Sequence, residues 1–161
     1  MKKTFTLILS LVVALMTLQA SAAMYIVGNG PFGNWEPDGG VQMTSQGSGT
    51  YTYSTVVSGE VYFVFGDGRS SNWTTFNNNY RYGPSTGDTQ VPIDGTWTTT
   101  QKAGDHGAYY FTGDGSTYTF TFDQNNKRFK ITGEGGTVDP GVLYILGEVN
   151  GHGWSPAAGR R

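Results

Sequence analysis

Residues 70–81 of this 161-residue chain read SSNWTTFNNNYR, one flat apolar ring among amides and hydroxyls. That combination is chemistry for a sugar. The C–H face of a pyranose stacks on an indole, and nearby amides and hydroxyls take its hydroxyl groups. Trp73 would supply the ring, and Asn77, Asn78, Tyr80 and Arg81 the polar partners. The competing reading is packing. An aromatic ring of roughly 150–250 Å² contributes about 4–6 kcal/mol when buried at ~25 cal/mol per Å², so Trp73 and Phe76 could equally anchor a surface loop. Trp35, in a loop rich in Gly and Pro, carries the same two readings: a plug for one end of the fold, or a ligand platform. Trp97, between Gly95-Thr96 and Thr98-Thr99-Thr100, is a lesser candidate.

Catalytic groups are sparse. His106 and His152 stand apart in Gly-rich stretches, and there is no cysteine. No His/carboxylate spacing matches a metal-ligand motif. Glu36 and Asp38 would serve glycoside hydrolysis only if folded into a cleft, and otherwise they are solvated loop charges. Asp-Gly occurs at 38, 67, 94 and 114. These pairs have the composition of turns and lack the stricter spacing and bidentate Glu of a calcium loop. The expectation is no catalytic residue, no metal and no cofactor.

The elements that would position these rings begin after a leader. Lys2 and Lys3 precede a mostly apolar run over 5–18 and the small-x-small site Ala20-Ser21-Ala22, so residues 1–22 read as a secretory signal peptide. The run falls short of the ~20 apolar residues that span a bilayer, and no transmembrane segment is expected in the mature chain. Without Lys2 and Lys3 the chain holds 8 basic and 12 acidic residues, a balance that argues against nucleic acid. An exported chain without cysteine fits a bacterial envelope or secreted protein better than a disulfide-stapled one.

One stretch occurs twice. Residues 24–40 (MYIVGNGPFGNWEPDGG) align without a gap on 143–159 (LYILGEVNGHGWSPAAG). Tyr25, Ile26, Gly28, Trp35, Pro37 and Gly40 recur as Tyr144, Ile145, Gly147, Trp154, Pro156 and Gly159. Such self-similarity marks repeated modules. The chain therefore divides into the leader (1–22), one module (23–133), a Gly-rich linker (134–142) and the truncated start of a second module (143–161), as in a fragment of a tandem array.

Within the module the strand signals are short and separated by turns. Strands are expected over 24–27, 41–44, 50–57, 61–65, 108–112, 116–122 and 127–132, with short edge pieces at 90–92 and 96–100. Tyr118, Phe120 and Phe122 alternate with Thr117, Thr119 and Thr121, the pattern of a half-buried antiparallel strand. Asp123 to Asn126 turns it back into Phe129 and Ile131. Residues 29–40 and 66–80 read as irregular loops. The fold class is all-β, an antiparallel two-sheet sandwich of immunoglobulin-like shape.

The opening Tyr25-Ile26-Val27-Gly28, the following Trp35, and Val41-Gln42-Met43-Thr44 resemble the start of the tandem starch-binding modules of SusE/SusF-type outer-membrane proteins. Later pieces agree: Val61-Tyr62-Phe63-Val64-Phe65, Trp73, Arg81-Tyr82-Gly83-Pro84, and Phe129-Lys130-Ile131-Thr132-Gly133. The resemblance implies a β-sandwich that binds α-glucan at the cell surface through paired aromatics, here Trp35 and Trp73 with nearby polar residues. It also implies other outer-membrane glycan-uptake proteins as partners. Members of that family are lipid-anchored, whereas this chain has no cysteine to carry the lipid. The expected function is non-catalytic binding of a polysaccharide or oligosaccharide, of starch or α-glucan type. The expected location is the outer-membrane surface, periplasm or exterior of a Gram-negative bacterium. The alternatives are a structural or adhesive repeat of a surface protein, and an accessory module of a glycan-degrading enzyme.

Overall fold

Alternating aromatic and hydroxyl residues build two long strands, β4 (Thr50–Gly66) and β9 (Tyr109–Asp123), in a computed structural model that describes residues 23–133. The leader, the linker and the second copy expected from sequence lie outside the described residues. β4 and β9 pair antiparallel from Thr50↔Asp123 to Phe63↔Tyr109. Where the sequence suggests two strands on either side of Ser58-Gly59, and two more on either side of Gly113-Asp114-Gly115, each chain segment runs through as one. The pairing register shifts between Val56 and Ser58, with the extra residue on β9. Gly115 sits there at φ 93°, as a bulge requires. A one-residue insertion swaps the faces of everything beyond it. The buried residues of β9 are accordingly odd-numbered before the bulge (Tyr109, Phe111) and even-numbered after it (Tyr118, Phe120, Phe122). The phase break that reads as a strand end in the sequence is what keeps both halves of β9 facing one core.

The β4–β9 ribbon also folds over on itself. Phe120 lies opposite Tyr53, and Phe63 is ten residues further along β4, about 33 Å away if the strand were straight. The Phe63 and Phe120 rings are nevertheless 5.4 Å apart, edge to face. The bend falls where Gly59 pairs with Gly113, and a Cβ on Gly113 would lie 2.3 Å from the Val57 carbonyl oxygen. Gly113→Ala is therefore expected to destabilise by about 1–3 kcal/mol. Thermal melting checks it, at about 4–8 °C per kcal/mol for a domain of this size. An unchanged melting temperature would show that the ribbon bends elsewhere.

Folding over creates the two layers of the expected antiparallel sandwich. One layer holds β3 (Thr44–Gly47), the first half of β4, the second half of β9, β10 (Arg128–Gly133) and β7 (Thr98–Thr99). The other holds β2 (Val41–Gln42), β1 (Tyr25–Gly28), the second half of β4 and the start of β9. It is extended by β5 (Arg81–Gly83), β8 (Gln101–Lys102) and the two-residue β6 (Thr89–Gln90), which pairs parallel with β9. Between the layers Phe63 meets Phe32, Phe65, Phe111, Phe129 and Tyr109. The residues expected to face inward, Tyr118, Phe120, Phe122, Phe129 and Ile131, are all buried.

Both expected loops contain some helix. Gly30–Phe32 is a 3-10 turn that drops Phe32 into the core. Residues Trp73–Asn79 form α1, a two-turn α-helix in place of the irregular loop read from sequence. Its start is set by Asn72, whose side-chain oxygen accepts from the Thr75 N–H at 3.0 Å, the usual N-cap bond. Its register is set by Phe76, fully buried against Val27 and Val64. A Cβ on Gly66 would lie 2.6 Å from the Phe76 ring, so glycine is what lets the helix approach β4.

Candidate functional site

Trp35 and Trp73 come from distant parts of the chain and are brought together. Trp35 follows β1 by seven positions, and that spacing has a structural cause. The Trp35 N–H donates to the Gly28 carbonyl at 3.0 Å, which closes the loop. Gly28 is itself required, because a Cβ there would lie 2.1 Å from the Tyr62 carbonyl oxygen. Asn29 staples the loop to β4, accepting from the Tyr62 N–H at 2.6 Å and donating its own N–H to the Tyr62 carbonyl at 3.1 Å. Phe32, from the same loop, enters the main core between the layers. The Trp35 ring is half-buried outside the main core and packs against the small cluster of Val27, Val64 and Phe76. Its backbone has φ 58°, a left-handed conformation that costs a bulky residue about 1–3 kcal/mol.

Trp73 stands on the first turn of α1, 38% exposed, with its ring at 89° to the Phe76 ring beneath it. The Trp35 and Trp73 ring centroids are 6.2 Å apart and the rings are inclined by 47°. Together with Tyr62, Arg81, Asp88, Asp105, Gly107 and Ala108 they line a cavity of about 450 Å³. Tyr62 alternates with the buried Phe63 and so lies on the outer face of its layer. There it stacks on Tyr110 at 5.2 Å. A hydrogen bond with Glu60, with burial adding to it, pushes the Tyr62 hydroxyl above its ordinary value, so the phenol stays neutral.

Another part of the lining is held by Arg81. Its side chain is 3% exposed, and the guanidinium donates to the carbonyls of Gly104 and Gly107. Burial pulls its pKa down while Asp105, Tyr109 and Asp88 hold it up; an arginine in that balance stays charged. Asp88 accepts from the Ala108 N–H through Oδ1 at 2.7 Å, which fixes the carboxylate at the cavity. Asp105 is exposed on the loop that Arg81 clamps. The arrangement is two inclined indoles, a phenol and two carboxylates around an open hollow. It can grip a ligand that has apolar faces and hydroxyl edges.

Of the residues singled out from sequence, Trp35, Trp73 and Arg81 line this cavity. Arg81 does so as the clamp of a loop. Asn77, Asn78 and Tyr80 do not line it, because the helix turns them elsewhere. Asn77 is on the buried side of α1, with its backbone carbonyl accepting from the Gly104 N–H at 2.9 Å and its Oδ1 without a protein partner. Asn78 is exposed away from the lining. Tyr80 packs against Val27, Val64 and Phe76, under Gly68. Sequence reasoning missed Tyr62, Asp88 and Asp105. Tyr62 had a signal, an aromatic at the outward phase of a strand. The two aspartates had none, since the loops that carry them are placed by long-range contacts. Among the described residues no group of three or more His, Asp or Glu could hold a metal ion, and no helix is long and apolar enough to cross a membrane.

No family model matches this chain, and no curated protein matches it. Among solved structures it is similar to SusF from Bacteroides thetaiotaomicron, with 18% identity and a TM-score of 0.50. The match covers 72% of this chain and 25% of that one, so the chain spans about a quarter of that protein's length. At this identity the likeness is one of fold.

Proposed function

We propose that residues 23–133 are a non-catalytic carbohydrate-binding module of an exported surface protein, with starch or a related α-glucan as ligand. The observation that carries the reading is the pair Trp35 and Trp73, inclined by 47° over one cavity. Coplanar rings suit a flat chain, whereas inclined rings follow a curved one, and an α-glucan curves. The likeness to SusF in fold and the sequence resemblance to SusE/SusF-type starch-binding modules support the same reading. Asp88 and Asp105 then accept from sugar hydroxyls, Tyr62 stacks on the ligand or accepts from it, and Arg81 positions the loop without touching the ligand. Linked copies would raise the effective concentration at a polymer, which gives a repeated module and a Gly-rich linker a purpose.

A shallow site that leaves much of the ligand wet binds weakly, because association entropy takes much of the gain. The expected dissociation constant is about 1 μM to 1 mM. Titration calorimetry with maltoheptaose, cello-oligosaccharides and xylo-oligosaccharides checks this, alongside an assay for released reducing ends. Saturable binding of maltoheptaose with no product above a mock-purified control is the expected outcome. Failure of every glycan in the panel to bind would favour a structural or adhesive repeat, and product release would favour a catalytic role.

A further inference from the structure

The face of the sandwich opposite the tryptophan cavity carries a different chemistry. On β10, β9 and the first half of β4, the side chains that alternate with the buried aromatics form a polar lattice. Lys130 lies opposite Thr121, and Thr121 opposite Thr52; Thr132 lies opposite Thr119, and Thr119 opposite Ser54. The Ser54 and Thr119 hydroxyls are 2.8 Å apart, and Gln46 on β3 donates to the Thr52 hydroxyl at 2.8 Å. With strands ~4.8 Å apart, this lattice is wide enough for an oligosaccharide.

One edge of the lattice is basic and aromatic. β7 pairs with β10 so that Thr98 faces Phe129 and Thr99 faces Arg128, which places Trp97 beside Lys130. The Arg128 guanidinium lies 4.3 Å from the Trp97 ring centroid and the Lys130 ammonium 5.2 Å. Trp97 is 38% exposed. The described residues hold six Lys and Arg side chains in an otherwise acidic chain, and Lys127, Arg128 and Lys130 are three of them. The other three are engaged: Arg81 is buried, Lys102 pairs with Asp67, and Arg69 lies over Tyr25. Arg128 is bonded on one side, through Nε to Asp123 at 3.1 Å, and the ring contact holds its fork in place.

We infer that this outer face is a second binding site, for an acidic polysaccharide. Arg128 and Lys130 take its carboxylate or sulfate groups, the Thr52, Thr119 and Thr121 hydroxyls take sugar hydroxyls, and Trp97 closes the edge. The site is independent of the cavity on the opposite face, which is acidic and suits a neutral glycan. Charge complementarity commits the face to a polyanion. The hydroxyl lattice and the edge tryptophan commit it to a sugar rather than an acidic peptide.

The test uses the full chain in titrations with oligogalacturonate, with sulfated dextran and with polyglutamate as a polyanion without sugar rings, at low and at physiological salt. Oligogalacturonate or sulfated dextran is expected to bind saturably and to weaken with salt. Lys130→Glu and Arg128→Gln each lose a hydrogen bond to a charged group, so each is expected to weaken binding by about tenfold or more. Both side chains lie partly exposed on the outer face of β10, and a melting curve on each variant shows whether the fold is kept. Trp73→Ala is expected to leave this binding unchanged, which separates the site from the cavity. The inference is overturned if polyglutamate binds as well as the acidic glycans. It is equally overturned if neither acidic glycan binds at low salt, if the two charge variants bind like wild type, or if the face only joins copies of the chain, as light scattering would show.

Discussion

Replacing Phe63 by alanine is expected to lower stability by about 3–5 kcal/mol, the largest effect of any single change in the core. The ring sits in the fold of the β4–β9 ribbon and meets six other aromatic rings, from Phe32 in the 3-10 turn to Phe129 in β10. These neighbours come from β4, β9, β10 and the 3-10 turn, so the cavity left by truncation cannot collapse by moving one loop. Domains of this size have about 5–15 kcal/mol in all. The variant is therefore expected to lose a large share of its stability, with a chemical-denaturation midpoint well below wild type. A loss below about 1 kcal/mol would mean that the two layers do not share this ring, since even a modest core truncation costs more.

The second large effect concerns binding. Trp73→Ala is expected to weaken maltoheptaose by about 10- to 100-fold, or roughly 1.4–2.8 kcal/mol, with little change in melting temperature because Phe76 and the Asn72 cap still hold α1. Trp35→Gly separates the two readings of that residue. Glycine relieves the left-handed backbone at φ 58°, a gain of about 1 kcal/mol, while the half-buried ring is lost. The terms oppose, so a small net change in stability is expected beside a large loss of affinity. A structural plug would instead cost about 3–5 kcal/mol on truncation. The rings are close enough to act on one ligand, and the double variant should fall short of the sum of the singles by about 0.5–3 kcal/mol. Strict additivity would mean that the two tryptophans do not share a site.

Much of the fold is legible in the residues because β-strands show their burial at a period of two. The Tyr118/Phe120/Phe122 alternation and its return through Phe129 and Ile131 survive unchanged. What the sequence obscures is continuity. A bulge and a turn both break the phase, and only the partner strand distinguishes them, so Gly113-Asp114-Gly115 reads as an end where the strand carries a one-residue insertion. Helix α1 is hidden for another reason. Seven residues are too few to display a 3.6-residue period, and a run of Asn has low helix propensity. The Asn72 cap with Trp73, Phe76 and Tyr80 at helical spacing was the available signal.

At the site, the ring pair is half legible. The fixed seven-residue step from Gly28 to Trp35, repeated from Gly147 to Trp154, reflects the bond from the Trp35 N–H to the Gly28 carbonyl. That Trp73 would meet Trp35 was not readable, because it depends on where Phe76 docks. Asn77, Asn78 and Tyr80 are near Trp73 in sequence, and proximity on a helix sends neighbours to different faces. Asp88 and Asp105 reach the cavity through the Asp88–Ala108 bond and the Arg81 clamp, contacts across long separations that no local pattern announces.

The most direct measurement of the central claim follows the indole N–H resonances of the chain's tryptophans while maltoheptaose is added. Trp35 and Trp73 are expected to shift together along one saturable curve, with Trp97, on the opposite face, unmoved. If Trp35 and Trp73 stay fixed while maltoheptaose binds elsewhere, or if no indole responds at saturating ligand, the paired tryptophans are not a glucan site.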